Sequence, residues 1–128
     1  MEIKVGATGE ELVTVNSSNT ARSMGSGELE VFATPAMIAL MEKAATNAIS
    51  NVMPSDSSSV GTMMNVKHIA ASPLGMMITA KATLIEVDGK RLVFNVEAFD
   101  EKDKIGEGQH ERFIINIDRF MAKTNGKK

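Results

Sequence analysis

Thr34, Glu42 and His68 are the residues whose types and surroundings could do chemistry. Thr34 stands before Pro35, the pattern of a helix start: a hydroxyl at the N-cap and a proline at the first helical position, where no N–H is needed. Glu42 lies in VFATPAMIALMEKAATNAISNV, residues 31–52, a carboxylate in an apolar neighbourhood. His68 follows Met64 and Val66 at two-residue steps, which continues the inward face of a strand. A carboxylate in an apolar slot can attack a carbonyl or activate a water. An imidazole beside it can pass a proton to a leaving group. A hydroxyl and the free N–H groups of a helix start can polarise an oxyanion. Each residue also has a plainer role: Thr34 as a cap, Glu42 in solvent or paired with a lysine, His68 as a satisfied core residue. From Thr34 to Glu42 is ~80° round the helix axis, so the two are neighbours and not coincident.

Further positions could serve the same chemistry. Gly61 and Thr62 open a strand, and a glycine there allows close approach of a ligand, or else a bend or bulge. Arg112, beside Glu111, is either a surface ion pair or a reach into the site. His110 reads as structural. Gly106 and Gly108 in GEGQHER give the helix room; no strand-to-helix context makes them a phosphate loop. Met37, Met41, Met63 and Met64 are candidates to line an apolar pocket, although core filling accounts for most of the ten methionines.

The elements that must position these residues follow from periodicity. Met37, Leu40, Met41, Ala44, Ala45, Ala48 and Val52 recur at three- and four-residue steps, an apolar helical stripe. So apolar and small-sided a helix should be largely buried. Before it, Glu10 to Val15 reads as a strand and Asn16 to Gly27 as a loop. Pro54 to Ser59 is a polar break. After it the pattern alternates. Thr62, Met64, Val66 and His68 share one face of a strand. In Met76–Glu86, Met76, Ile78, Ala80, Ala82 and Leu84 face one way. Asp88-Gly89 signals a two-residue hairpin, and the return strand turns Leu92, Phe94, Val96 and Ala98 inward. A last strand runs from about Lys104 to Ile117, with Phe113, Ile115 and Ile117 on its apolar side, and residues 121–128 form a frayed tail. One antiparallel sheet with one apolar face must cover that face, and the helix is the cover. The fold class is α+β: a single domain over 1–128 with an antiparallel sheet wrapped around one long central helix, residues 1–30 being the least defined.

Composition narrows the function classes. The 128 residues suffice for one core, and 43% hydrophobic content excludes a disordered chain. Cysteine is absent, which excludes disulfides, thiolate metal sites and a cysteine nucleophile. With two histidines, no metal site is expected. A net charge of −2 without a basic block argues against nucleic acid as a partner. No apolar run approaches the ~20 residues of a membrane span, and MEIKVGATGEE lacks a signal pattern, so the expected location is cytoplasmic.

FATPAMIALME, VGTMMNVKHIAASPLGMMITAKATL and IGEGQHERFIINIDRFMAK together resemble the fluoroacetyl-CoA thioesterase-like family, a branch of the hotdog-fold thioesterases. The resemblance covers about Val31 to Lys123 with spacing preserved. It implies a hotdog fold, a homodimer, and an acyl-CoA thioesterase-like hydrolase whose coenzyme A belongs to the substrate and which needs no separate cofactor. The family's catalytic threonine, glutamate and histidine match Thr34, Glu42 and His68; its substrate-contacting glycine matches Gly61, and the arginine of its HER motif matches Arg112. Thr62, Met37 and Met64 join Gly61 and Arg112 as expected substrate-binding residues. By analogy Glu42 attacks or activates water at a thioester carbonyl, Thr34 helps to hold it, and His68 transfers a proton. The fluoroacetyl enzymes carry a phenylalanine lid before the helix. MGSGELEV here has none, so fluoroacetate specificity is not implied. Two other classes stay open: a non-catalytic acyl-CoA or small-ligand binding protein, and a hotdog dehydratase or hydratase.

Overall fold

Alternating apolar residues build one sheet, and the apolar stripe of one helix fills its concave side. The computed structural model describes residues 2–128. In order, the elements are β1 (Thr8–Thr14), α1 (Ala21–Met24), α2 (Thr34–Ile49), β2 (Ser57–His68), β3 (Met77–Asp88), β4 (Arg91–Phe99), β5 (Lys104–Asn116) and α3 (Ile117–Asn125). A 3-10 turn over Ser50–Val52 ends α2. The sheet is antiparallel with order β1-β3-β4-β5-β2, which leaves β1 and β2 as edges.

The core forms where the two periodicities meet. Met37, Leu40, Met41, Ala44, Ala45, Ala48 and Ile49 of α2 are buried. They pack with Ile78, Ala80, Ala82 and Leu84 of β3 and Leu92, Phe94, Val96 and Ala98 of β4. Small residues let α2 sit close to β1: a Cβ on Gly9 would overlap the Ala44 carbonyl and lie 2.5 Å from the Ala48 nitrogen. The opposite side of α2 is uncovered, with Thr34, Pro35, Ala39 and Lys43 exposed. The expected burial of the helix therefore holds for one face.

Several expectations need correction. Thr34 does not cap α2. It is the first helical residue, Ala33 is the N-cap, and no side chain caps the helix. The hairpin loop is Gly89-Lys90, one residue later than expected, because Asp88 pairs with Arg91. Gly89 takes φ +60°, a conformation that glycine adopts without a Cβ penalty. The inward residues at the end of β5 are His110, Arg112 and Ile114, while Phe113 is 43% exposed. The strand stops at Asn116, whose side chain accepts from the Arg119 N–H and starts α3. Most of the segment expected to be a frayed tail is thus helix, through Asn125. In the 16–27 loop, a reciprocal Thr20–Ser23 capping box holds the short α1. Part of the expected polar break, Ser57–Ser59, belongs to β2. Gly106 does make room for α2, since its Cβ would lie 2.5 Å from Met37 Sδ. Gly108 instead serves the β2–β5 pairing, where a Cβ would meet Asn65 and Val66.

Candidate active site

The expected site residues fall into two clusters along α2. At the start of the helix, Thr34 Oγ1 lies 2.8 Å from His68 Nδ1. Freed from capping, the threonine hydroxyl is available to this histidine at the end of β2. With Thr34 as donor, His68 carries its proton on Nε2. Among the described residues, His68 Nε2 is the one buried side-chain N or O atom without a hydrogen-bond partner. Burial holds the His68 pKa below its ordinary value, with the Ala70 backbone opposing the shift. A cleft of about 320 Å³ adjoins this pair, walled by Ala21, Val31, Phe32, Ile69 and Ala70.

The second cluster surrounds Glu42, eight residues and about 12 Å further along the helix axis. Its carboxylate lies 3.6 Å from Arg112 Nη1. A Cβ on Gly61 would lie 2.5 Å from Glu42 Oε2, so this backbone position must be glycine for the carboxylate to rest there. Arg112 is 6% exposed and fixed on three sides. Its Nε donates to Ser59 Oγ at 2.8 Å, its Nη2 to the Ser59 carbonyl at 2.8 Å, and its Nη1 reaches His110 Nε2 at 3.1 Å. Burial pulls the guanidinium below its usual range, and Glu42 opposes this. Glu111 points the other way, to Arg91 at 2.8 Å. Of the two readings of Arg112, the reach into the site is the one observed.

A bulge in β2 between Gly61 and Met63 decides which residues face the helix. One extra residue switches the parity of the strand. Gly61 faces Glu42, and Met64, Val66 and His68 also turn inward. Thr62, expected on that inward face, is exposed, and its hydroxyl donates to the Glu111 carbonyl at 3.2 Å. The methionines differ from expectation too. Met37 and Met41 are sealed in the core, and Met64 is half-buried against it. Among the described residues no methionine lines the cleft beside His68, whose apolar wall is made by alanines with Val31, Phe32 and Ile69. Met24 and Leu29 are exposed in the segment without lid phenylalanines.

Sequence reasoning missed Ser59, which holds Arg112 through both side chain and backbone. Only its even spacing from Gly61 placed the two on one face. One chain brings Thr34 to His68 and Glu42 to Gly61 and Arg112, but it does not bring the two clusters together.

The model of the fluoroacetyl-CoA-specific thioesterase family matches residues 15–118. The fluoroacetyl-CoA thioesterase of Streptantibioticus cattleyicolor is 43% identical over 98 residues, spanning 77% of this chain and 70% of that protein. A solved structure of the fluoroacetyl-CoA thioesterase FlK superposes with a TM-score of 0.93 at 35% identity, covering 100% of this chain and 99% of that one. Other solved forms of FlK hold acetyl-CoA, or fluoroacetate with CoA. A thioesterase superfamily member of Thermus thermophilus superposes with a TM-score of 0.89 at 26% identity, covering 97% of this chain and 92% of that one. The chain belongs to the fluoroacetyl-CoA-specific thioesterase family and has the hotdog fold.

Proposed function

We propose that the protein hydrolyses a small acyl-CoA thioester as a cytoplasmic homodimer, with no cofactor beyond the CoA of its substrate. The observation that carries this reading is the Thr34–His68 pair. A half-buried imidazole, oriented by a hydroxyl on one nitrogen, leaves its other nitrogen without a hydrogen-bond partner beside a mostly apolar cleft. With the proton on Nε2, His68 can protonate the departing CoA thiolate. Glu42 acts on the thioester carbonyl as nucleophile, or as base towards a water. As nucleophile Glu42 expels the thiolate and forms a mixed anhydride, whose acyl carbon a water then attacks to free the carboxylate. As base Glu42 takes a proton from the water that attacks the thioester directly, and either route gives the free carboxylic acid and CoA thiol. Thr34 holds the histidine, and Gly61 leaves space for carboxylate and acyl group.

The separation of the two clusters supports the dimer. β2 is a twelve-residue edge whose ladder groups face outward, and such an edge is a template for pairing. If two β2 strands pair antiparallel about Asn65, Met64 meets the partner's Val66, Met63 meets the partner's Lys67 and, with Thr62 bulged out, Gly61 stands opposite the partner's His68. The bulge keeps both on the same face. Glu42 of one protomer and the Thr34–His68 pair of the other then flank one acyl site.

The test is thiol release from a panel of short and medium acyl-CoA esters by the parent and Glu42→Ala. Release that disappears in a folded Glu42→Ala supports the hydrolase and identifies the acyl class. Saturable CoA-ester binding without thiol release makes the protein a binding module. A change in acyl unsaturation with the thioester intact makes it a hydratase or dehydratase.

A further inference from the structure

His110 is a buried titratable group that the proposed chemistry does not use. It is 1% exposed, and Phe94 stacks on its ring with centroids 6.3 Å apart. Its two nitrogens have partners of opposite kind. Nδ1 lies 2.9 Å from the Met63 carbonyl, which can only accept, so Nδ1 carries the proton. Nε2 is then the acceptor for Arg112 Nη1 at 3.1 Å. The same nitrogen of Arg112 faces Glu42 at 3.6 Å. The ring is thus a wedge between the β2 backbone, at the residue that follows the bulge, and the guanidinium beside the carboxylate.

We propose that His110 is a positioning residue: as the neutral Nδ1–H tautomer it braces Arg112 against Glu42 and so fixes where the carboxylate stands. The inference rests on Glu42 being the reacting carboxylate. Ser59 holds the Nε and Nη2 side of the guanidinium; His110 sets the remaining side, the one that meets Glu42. A protonated ring could not accept from Arg112 and would place a second cation against it, which loosens the brace. The groups facing the ring are Arg112 on its own strand, Glu42 from α2, the Met63 carbonyl from β2 and the Phe94 ring from β4. Burial, then the Arg112 charge, keep the ring neutral below the ordinary imidazole range; the Met63 carbonyl and Glu42 oppose them.

The test compares the parent with His110→Leu, which keeps bulk without an acceptor, and His110→Gln, whose side-chain carbonyl can accept from Arg112 without titrating. Once thiol release by the parent is established, His110→Leu should lower kcat about tenfold or more at pH about 7.5, with KM changed less than about threefold. His110→Gln should recover most of that loss, and its kcat should lack the acid limb that His110 gives the parent. A folded His110→Leu with parental kcat across the pH range overturns the proposal, as does a His110→Gln no better than His110→Leu. A parent without turnover on any ester defeats the thioesterase reading, yet nitrogen NMR of the ring and of the Arg112 amino groups still tests the brace. A bare Nε2 in the parent, with Arg112 Nη1 rotation faster in His110→Leu, supports it. An Nε2–H tautomer, or Arg112 signals unchanged in the variant, overturns it. If His110→Leu does not fold, the parental tautomer and His110→Gln decide.

Discussion

Gly61 is where one added carbon has a defined consequence for the site. Its missing side chain is the space in which Glu42 Oε2 rests, with His110 Cε1 3.2 Å and Arg112 Nη1 3.4 Å from where a Cβ would be. Arg112 cannot retreat, because Ser59 and His110 hold it. Gly61→Ala should therefore push the carboxylate out towards solvent, where its side chain is already 41% exposed. The expected result is a fall in kcat of about 10- to 100-fold, read by thiol release, with the melting temperature close to parental. Parental turnover in a folded Gly61→Ala would show that Glu42 does not act from this position. The close approach at this residue was legible in sequence, since a glycine opening a strand leaves such space, although the group that fills it is the Glu42 carboxylate. Its neighbour shows the limit of such reading. Thr62 followed the strand's period of two onto the inward face, and a one-residue bulge reversed that assignment. Thr34 was placed at the right end of the right helix but one position early. The hydroxyl that reads as a cap is instead bonded to a residue 34 positions away, a contact that no local signal carries.

At the scale of elements, the hydrophobic periods were sufficient for α2, β3 and β4, because burial decides those residues and little else competes. β5 was harder: the polar residues His110 and Arg112 take inward positions at one end, so Phe113, which follows Arg112, points outward. α3 escaped although Ile117, Phe120 and Met121 recur at helical steps, because the strand pattern carries on to Ile117 and the rest of this exposed stripe reads as tail. The contact between α2 and β1 also lay outside the pattern. It depends on Gly9, on a short strand, meeting the alanines of a helix that begins 25 residues later. Gly9→Ala should force these elements apart. A loss of about 1–3 kcal/mol in unfolding free energy is expected by urea denaturation, the usual cost of overpacking. Because backbone and not a flexible side chain faces the new Cβ, relaxation cannot absorb it by a rotamer change. An unchanged urea midpoint would mean that β1 sits further from α2 than described.

At the scale of the molecule, the two clusters on α2 pose one question: whether a single chain holds a complete site. The geometry within the chain separates Glu42 from His68 by two turns of helix, and pairing of β2 edges offers the way to join them. A mixing experiment decides between these arrangements. Glu42→Ala and His68→Ala should each be inactive as homodimers. When the two are co-expressed with different tags and the mixed dimer is purified, a site shared between protomers regains one intact copy, formed by Glu42 from the His68→Ala chain and His68 from the Glu42→Ala chain. The other copy lacks both groups. Thiol release should therefore return to about half of the parental kcat per dimer, following from the count of intact sites with two sites per dimer. If each chain held its own complete site, both copies in the mixed dimer would lack a catalytic group, and release would stay at the level of the single variants. Light scattering on the same samples separates a third case: a monomeric protein would yield no mixed species, and the open edge of β2 would then have to be protected in some other way.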